Sequence, residues 1–269
     1  MKILACDTSN RACSCCLYED GRVVDAKFLN NGLTHSQTFM PMVHDLMQEN
    51  GEEYRGLDAL ACTVGPGSFT GIRIGVSAVK TMAMAAVKPA IPVSSLEALA
   101  EPLKEEDALI VPMIDCRNKR AWAAAYYHGE QVISEMADDV SAIVGKCEKY
   151  RSEKLSGKKI LVIGNGGKMY LQEEGVSRET VLFKEGYEEI RSENVAAIAA
   201  RMVEKELTVM GEKNVPEKSR TGALMIRFSP RALMPVYRAK TQAERVADEQ
   251  GKKVEEVPIR YYSTLDDEK

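Results

Sequence analysis

The chain has 269 residues, a formal net charge of −4 and a pI of about 5.6. Hydrophobic residues make up 45% and charged residues 28%, which is typical of an ordinary globular protein large enough for two lobes. The acidic balance argues against a broad electropositive nucleic-acid surface. The apolar run 82–87 is far shorter than the roughly 20 residues that a membrane span requires. The apolar start ends at Asp7, so we expect no secretion signal and a cytoplasmic location.

The seven cysteines indicate reduced, buried thiols. Cys13, Cys15 and Cys16 are too close together for a paired zinc knuckle, and no second cysteine pair follows them. His35 and His44 fall on different faces of a predicted helix. We therefore expect no metal site built by the protein and no bound cofactor.

The first part of the chain predicts three strands and a helix. The strands, at 2–6, 12–18 and 23–29, are separated by turn residues and are typical of an antiparallel meander. Thr34 and Gln37 have the form of a capping box for a helix over 34–50 that Asn50 and Gly51 end. Pro41 indicates a kink in this helix, or a start nearer Gln37.

The next part predicts a buried strand over 59–64 that runs directly into the motif GPGSFTG at 65–71. A helix rich in small residues follows over 70–87, then a short strand at 91–93 and a short helix over 94–103. The stretch 104–107 has no apolar residue and predicts the boundary between two lobes.

The rest of the chain repeats the strand pattern of the first part. A strand over 109–114 ends in Asp115, as the first strand ends in Asp7, and a hairpin follows at 121–127 and 131–136. Further predictions are a strand at 160–163 before GNGG, a helix from Ser192 to about residue 207, a loop over 211–222, and a helix with a frayed tail over 241–269. We therefore expect two related lobes, residues 1–106 and 107–245, with an acidic extension over 246–269.

Four turns have the residue types of a nucleotide or anion site. Glycines that lead from a strand into a helix expose backbone N–H groups, and Asp-Thr-Ser or Asp-Cys-Arg at strand ends suits phosphate or hydrated Mg²⁺. GPGSFTG lacks the lysine of a phosphate-binding P-loop, and its glycines equally suit close strand–helix packing. The acidic turns equally suit Asx turns. The relic nucleotide or anion site would contain Asp7, Thr8, Ser9, Gly65, Gly67, Ser68, Thr70, Gly71, Gly164 and Gly166.

The two long helices of the first lobe predict a partner surface. The helix at 34–50 has a wider apolar face than one core contact needs, and the helix at 70–87 has small residues that let another helix approach closely. The alternative is that both faces are core. The predicted interface residues are Met40, Val43, Met47, Arg73, Ser77, Lys80 and Met84. The basic stretch 218–240 is either a solvated or lobe-packing surface or an RNA phosphate contact.

The motifs together are similar to those of the bacterial TsaB family, also called YeaZ. They occur in the order ILACDTSN, THSQTFMPMVHDLM, ALACTVGPGSFTGIRIGVSAVKTMAMA, VSSLEALA, MIDCRNKRAWAAAY, VIGNGG and LMPVYRAKTQAER, and the resemblance covers roughly residues 1–245. It implies an α/β chain with the two-lobed actin-like ATPase fold of sugar kinases, Hsp70 and actin. It also implies a role in forming threonylcarbamoyladenosine next to the tRNA anticodon, beside TsaD and TsaE, and a homodimer when TsaD is absent.

Departures from the catalytic relatives imply a subunit without catalytic residues. Those relatives carry an HxxxH metal pair on the first helix, whereas here His35 is followed by Phe39 four residues later. Arg11 stands where the relatives tend to have an acidic residue. The resemblance therefore implies a non-catalytic scaffold that meets tRNA at most through the complex. The alternative is an active enzyme, either a sugar-kinase-like phosphotransferase or a metallo-glycopeptidase.

Overall fold

A computed structural model describes residues 1–32, 34–209 and 217–236. Its first half contains a five-stranded sheet in the order β3-β2-β1-β4-β5. The strands are β1 Lys2–Asp7, β2 Cys13–Glu19, β3 Arg22–Leu29, β4 Ala59–Gly65 and β5 Ala90–Ser94. β1, β2 and β3 pair antiparallel, whereas β1, β4 and β5 pair parallel. The predicted meander is confirmed.

A second five-stranded sheet has the order β10-β9-β6-β7-β8. Its strands are β6 Ala108–Asp115, β7 Arg120–Tyr127, β8 Glu130–Asp139, β9 Lys159–Ile163 and β10 Val181–Phe183. β6 occupies the central place that β1 has in the first sheet, with an antiparallel hairpin on one side and parallel strands on the other. The two sheets therefore share one topology, as the repeated pattern predicts.

Seven helices lie in the described part of the chain. They are α1 His35–Glu49, α2 Phe69–Ala86, α3 Ser95–Ala100, α4 Val140–Lys154, α5 Gly167–Tyr170, α6 Ser192–Val209 and α7 Glu217–Arg227. The sequence did not predict α4, α5 or β10. The predicted loop over 211–222 is wrong for 217–222, which belong to α7. The predictions for 241–269, including the extension over 246–269, lie outside the described residues.

The start of α1 differs from the predicted capping box. Thr34 is the N-cap, but its side chain makes no capping hydrogen bond, and the Gln37 N–H instead donates to the Thr34 backbone carbonyl at 3.0 Å. The helix begins at His35 and continues through Pro41. Real side-chain caps occur at α2 and α3, where Ser68 and Ser94 accept from backbone N–H groups.

The first sheet is covered on both faces, and its period-2 pattern divides its residues between two cores. In β1, Leu4 and Cys6 join the core that contains α1 and α2, whereas Ile3 and Ala5 join a core that includes α6. All seven cysteines are buried and free, which confirms the predicted buried thiols. α6 thus covers the first sheet although it follows the second sheet in sequence. The boundary at 106/107 stays a prediction.

No helix within the described ranges is both long and apolar enough to cross a bilayer.

Candidate functional site

The turn after β1 is built around a buried carboxylate. Asp7 Oδ1 accepts three hydrogen bonds, from Ser9 N at 3.1 Å, Ser9 Oγ at 2.6 Å and Thr63 Oγ1 at 2.5 Å. Asp7 Oδ2 is buried and has no hydrogen-bond partner. Burial is the main cause that raises the pKa of Asp7, although the bonds from Ser9 and Thr63 act in the opposite direction. The carboxyl group is therefore held inside the protein.

The glycine turn between β4 and α2 packs directly against this first turn. The Ser68 N–H donates to the Ser9 carbonyl at 2.7 Å, and Thr8 Oγ1 donates to the Gly71 carbonyl at 2.7 Å. A Cβ on Gly67 would lie 2.2 Å from the Ser9 carbonyl oxygen, and a Cβ on Gly71 would lie 2.1 Å from that of Thr8. These glycines are needed because two backbone segments touch.

At the start of α2, one of the free backbone N–H groups is satisfied within the chain. Ser68 Oγ accepts from the Gly71 N–H at 3.2 Å, which satisfies one of the free donors of the helix end. Gly65 lies against the last described segment, because its Cβ would be 2.8 Å from the Val236 carbonyl oxygen. Thr70 is exposed at the helix start. The contacts support the close-packing alternative for this motif, and the relic anion site stays a prediction.

The second half supplies a matching glycine turn. A Cβ on Gly164 would lie 2.2 Å from the Met113 carbonyl oxygen, to which the Gly166 N–H donates at 3.0 Å. Asn165 Oδ1 accepts from the Asp115 N–H at 2.9 Å, while Asn165 Nδ2 donates to Asn10 Oδ1 at 2.8 Å. The two strand-end regions are therefore joined by an asparagine pair. Neither asparagine was among the predicted site residues.

An exposed strip runs along α2 and includes one residue of α1, which contacts α2. Met40 is 41% exposed, Phe69 43% and Met84 49%, and Arg73 and Ser77 are also exposed. The Arg73 guanidinium stacks on the Phe69 ring at 3.8 Å. We call Met40, Phe69, Arg73, Ser77 and Met84 the exposed helix strip. The sequence prediction missed Phe69, although it lies four residues before Arg73 on the same stripe.

Two predicted interface residues are corrected by their burial. Val43 and Met47 are 0% and 3% exposed and belong to the core between α1, α2 and the first sheet. The first sheet packs against the apolar face of α1, so most of this face belongs to the core. Lys80 is engaged within the chain, since its Nζ donates to the Arg231 carbonyl at 2.9 Å and the Leu233 carbonyl at 3.4 Å.

The segment 228–236 crosses back over the first half. The Ala90 N–H donates to the Phe228 carbonyl at 2.9 Å, the Val236 N–H donates to the Val64 carbonyl at 2.7 Å, and Leu233 is buried. The segment packs through its backbone and Leu233, whereas the side chain of Arg231 is exposed. Residues 237–240 of that stretch lie outside the described ranges.

Comparison with known proteins decides the family. The model of the family "TsaD: tRNA N6-adenosine threonylcarbamoyltransferase" matches residues 32–220. TsaB of Escherichia coli is 34% identical over 60% of this chain and 71% of its own length. TsaB of Bacillus subtilis is 30% identical over 64% of this chain and 74% of its own length. The chain belongs to the TsaB family.

Solved structures with a similar fold agree with membership of the TsaB family. YeaZ from Pseudomonas aeruginosa matches with a TM-score of 0.62 and 24% identity, covering 88% of this chain and 99% of that one. Another solved structure, titled as a protein with similarity to peptidase YEAZ from Pseudomonas aeruginosa, gives a TM-score of 0.65 at the same identity and coverage. The predicted two-lobed, actin-like α/β fold of the TsaB family is confirmed.

The residues at the HxxxH positions are not arranged as a metal pair in this TsaB family member. Phe39 is fully buried in the core. His35 is half-buried, with Nε2 2.8 Å from the Asn10 carbonyl oxygen. Hydrogen bonding to Cys13 and to that carbonyl raises the pKa of His35. Within the described ranges, no group of three or more His, Cys, Asp or Glu residues is placed to hold a metal ion.

Proposed function

We propose that this chain is a non-catalytic subunit for threonylcarbamoyladenosine formation in tRNA and that it binds a TsaD-type transferase. The name of the relatives from Escherichia coli and Bacillus subtilis, tRNA threonylcarbamoyladenosine biosynthesis protein, supports a role in this modification. The observation that carries the binding role is the exposed helix strip on two adjacent helices. The match to the transferase family model supports a partner of related structure.

The strip has the composition of a protein-binding surface. Aromatic, methionine and arginine side chains are enriched in interface cores, and here Phe69, Arg73 and two methionines lie on adjoining helices. α2 also exposes Ser77 and Ala85, small residues that let another helix approach closely. A helix of the partner therefore fits along α2 with Met40 at one side.

A non-catalytic role is supported by the packing at the turns. Thr8 and Ser9 backbone oxygens lie against Gly71 and Gly67, and the Ser68 N–H already donates to the Ser9 carbonyl instead of facing a ligand. Asp7 is buried at 1% exposure behind them, so its carboxyl group is poorly placed to meet a substrate. The chain then contributes surface and orientation to the complex, while the transferase contributes the reacting groups.

The same strip accounts for the other proposed contacts. Two copies of this chain can pair the strip with itself, since a twofold dimer uses one patch twice. Homodimer and transferase complex would then exclude each other. Recruitment of TsaE, and any contact with tRNA, would follow from the assembled complex in the cytoplasm rather than from this chain alone.

The test introduces two charges into the strip. Met40→Glu with Ser77→Glu replaces exposed side chains, so the chain should fold normally. Burying unpaired charge costs several kcal/mol, so affinity for the transferase should fall at least about 100-fold. Leu182→Glu with Ser141→Glu is the matched control, because both positions are exposed and lie outside the strip.

Titration calorimetry with the transferase and size-exclusion chromatography with light scattering would measure both associations. We expect the strip variant to be monomeric and not to bind, and the control to behave as wild type. Wild-type affinity in a folded strip variant would show that the interface lies elsewhere.

A further inference from the structure

The turn between β6 and β7 has an unusual backbone. Arg117, Asn118 and Lys119 have φ values of 66°, 54° and 58°, which place three consecutive residues in the left-handed region. That region is uncommon for residues other than glycine, and of these three only asparagine is enriched there. A strained turn persists only where the surrounding structure holds it, and such turns cluster at functional sites. The turn is therefore a candidate for a function of its own.

Hydrogen bonds fix the base of this turn. The Arg117 N–H donates to Asp115 Oδ1 at 2.7 Å, and the Arg120 N–H donates to the Arg117 carbonyl at 3.1 Å. The Cys116 N–H donates to the Arg120 carbonyl at 3.0 Å, and the Lys119 carbonyl accepts from the first N–H of α4 at 3.0 Å. The backbone is thus held in one conformation before any ligand binds, which lowers the entropic cost of binding.

The tip of the turn carries cations without acidic partners. Arg117 and Lys119 are exposed, and no ion pair within the described ranges involves either side chain. Arg120 differs from them, because its Nη2 donates to the Ala137 carbonyl at 3.0 Å and so holds this side chain at the base of the turn. Two cations at the tip are therefore available to an anion from outside the chain.

The end of β8 lies opposite the turn and carries two carboxylates, but both have cationic partners. Asp138 Oδ2 is 3.0 Å from Lys146 Nζ, and Asp139 Oδ1 is 3.7 Å from Arg120 Nε. These aspartates are therefore balanced by cations other than those at the tip. The tip keeps its positive charge although the chain as a whole is acidic.

The arrangement fits a chain of phosphates better than one small anion. Successive residues of a helical turn are rotated by about 100°, so Arg117 and Lys119, two residues apart, leave the turn on roughly opposite sides. They are therefore poorly placed to close together on one phosphate. A nucleic-acid strand carries a phosphate at every nucleotide, and contacts from lysine and arginine to these phosphates provide much of its affinity for proteins.

We infer that Arg117 and Lys119 contact phosphates of the RNA backbone when the chain is bound to the transferase. The inference rests on the proposed function, which supplies an RNA substrate. The turn lies at the end of β6 where the Asp115 N–H meets Asn165, next to the asparagine pair that joins the two strand-end regions. Contacts of this kind position the RNA without reading its sequence. Two of them are too few for tight binding by the chain alone, so they add to the affinity of the complex.

The experiment measures binding of unmodified tRNA to the assembled complex at several salt concentrations. The tip variant is Arg117→Gln with Lys119→Gln, which removes two exposed charges and keeps the fold. If each side chain contacts one phosphate, tRNA affinity should fall about tenfold at ~100 mM KCl, and the slope of log K against log salt should become shallower by about 1.5. Fluorescence anisotropy of labelled tRNA gives both values.

Lys149→Gln with Lys154→Gln is the matched control. Both lysines are exposed on α4, roughly 14 and 21 Å along the helix from its first residue, and their substitution removes the same charge. Wild-type affinity and slope in this control, with both values reduced in the tip variant, support the inference. An equal loss in the control would contradict it, because the effect would then reflect net charge alone.

Size-exclusion chromatography before each titration separates this inference from the proposed function. Normal assembly of the tip variant with unchanged affinity and salt slope overturns the inference and leaves the proposed function intact. A wild-type chain that does not assemble with the transferase overturns both. Displacement of tRNA from the turn by inorganic phosphate at constant ionic strength would indicate a site for a single anion, which also contradicts the inference.

Discussion

Gly71→Ala should destabilise the protein although alanine is the better helix former. Gly71 lies in the first turn of α2, and its added Cβ would be 2.1 Å from the Thr8 carbonyl oxygen. Real Cβ contacts are essentially never under 3.0 Å, so one of the two turns must move by roughly 1 Å. The obstacle is backbone on both sides, and no flexible side chain can rotate away.

The expected size follows from the contacts that must shift. A forced backbone movement in a packed region costs about 1–3 kcal/mol. Weakening the buried bond from Thr8 Oγ1 to the Gly71 carbonyl adds about 1–3 kcal/mol, while alanine returns about 1 kcal/mol of helix propensity. The net loss is about 3 kcal/mol, which corresponds to a fall in Tm of roughly 6–12 °C for a chain of this size.

Gly145→Ala is the matched control. Gly145 also lies inside a helix, α4, but nothing is within 4 Å of its Cβ position. The propensity gain of up to about 1 kcal/mol should therefore raise Tm by roughly 2–4 °C. Differential scanning calorimetry of the two variants gives shifts of opposite sign if the packing argument holds. Equal Tm values for Gly71→Ala and wild type would refute the argument.

Three further predictions concern buried and half-buried groups. Because the pKa of His35 is raised in the folded state, its protonation stabilises the fold below about pH 6.5, and this stability is lost as pH rises through the folded pKa. Urea unfolding should therefore show that His35→Gln loses more free energy of unfolding at about pH 5.5 than at about pH 8.5. Folding favours the protonated form of Asp7 because its pKa is raised, so the stability of the wild type falls as pH rises from about 4. Asp7→Asn should therefore gain stability relative to wild type between about pH 4 and pH 7.5. A difference in the free energy of unfolding that stays constant over this range would contradict this. Met47→Glu should lose the near-ultraviolet circular dichroism of a packed fold, whereas the exposed Met40→Glu should retain it.

The strands were predictable because each run of apolar residues ends at turn residues. β1, β2 and β4 were placed within one or two residues of their observed bounds. α4 was not predictable in the same way, because only Val140, Ile143 and Cys147 are buried on it and half of the remaining positions are charged. β10 has only three residues, too few for a periodic signal.

The position of the candidate site could be predicted from the sequence, but the packing of its turns could not. Asp7 and GPGSFTG follow neighbouring parallel strands, so their proximity follows from topology. That the glycines admit backbone atoms of Thr8 and Ser9 depends on distances that the sequence does not contain. Likewise, the face of α1 that is core depends on α2 and the sheet, which is why Val43 and Met47 were misplaced as surface residues.

The central claim is that this chain supports a transferase without performing the reaction. Formation of threonylcarbamoyladenosine on tRNA, measured with the chain alone, with the transferase alone, and with both, tests it most directly. We predict no product from the chain alone, and product from the mixture that falls at least about tenfold with Met40→Glu and Ser77→Glu but not with the Leu182→Glu and Ser141→Glu control. Product formed by the chain alone, or full product with the strip variant, would contradict the account.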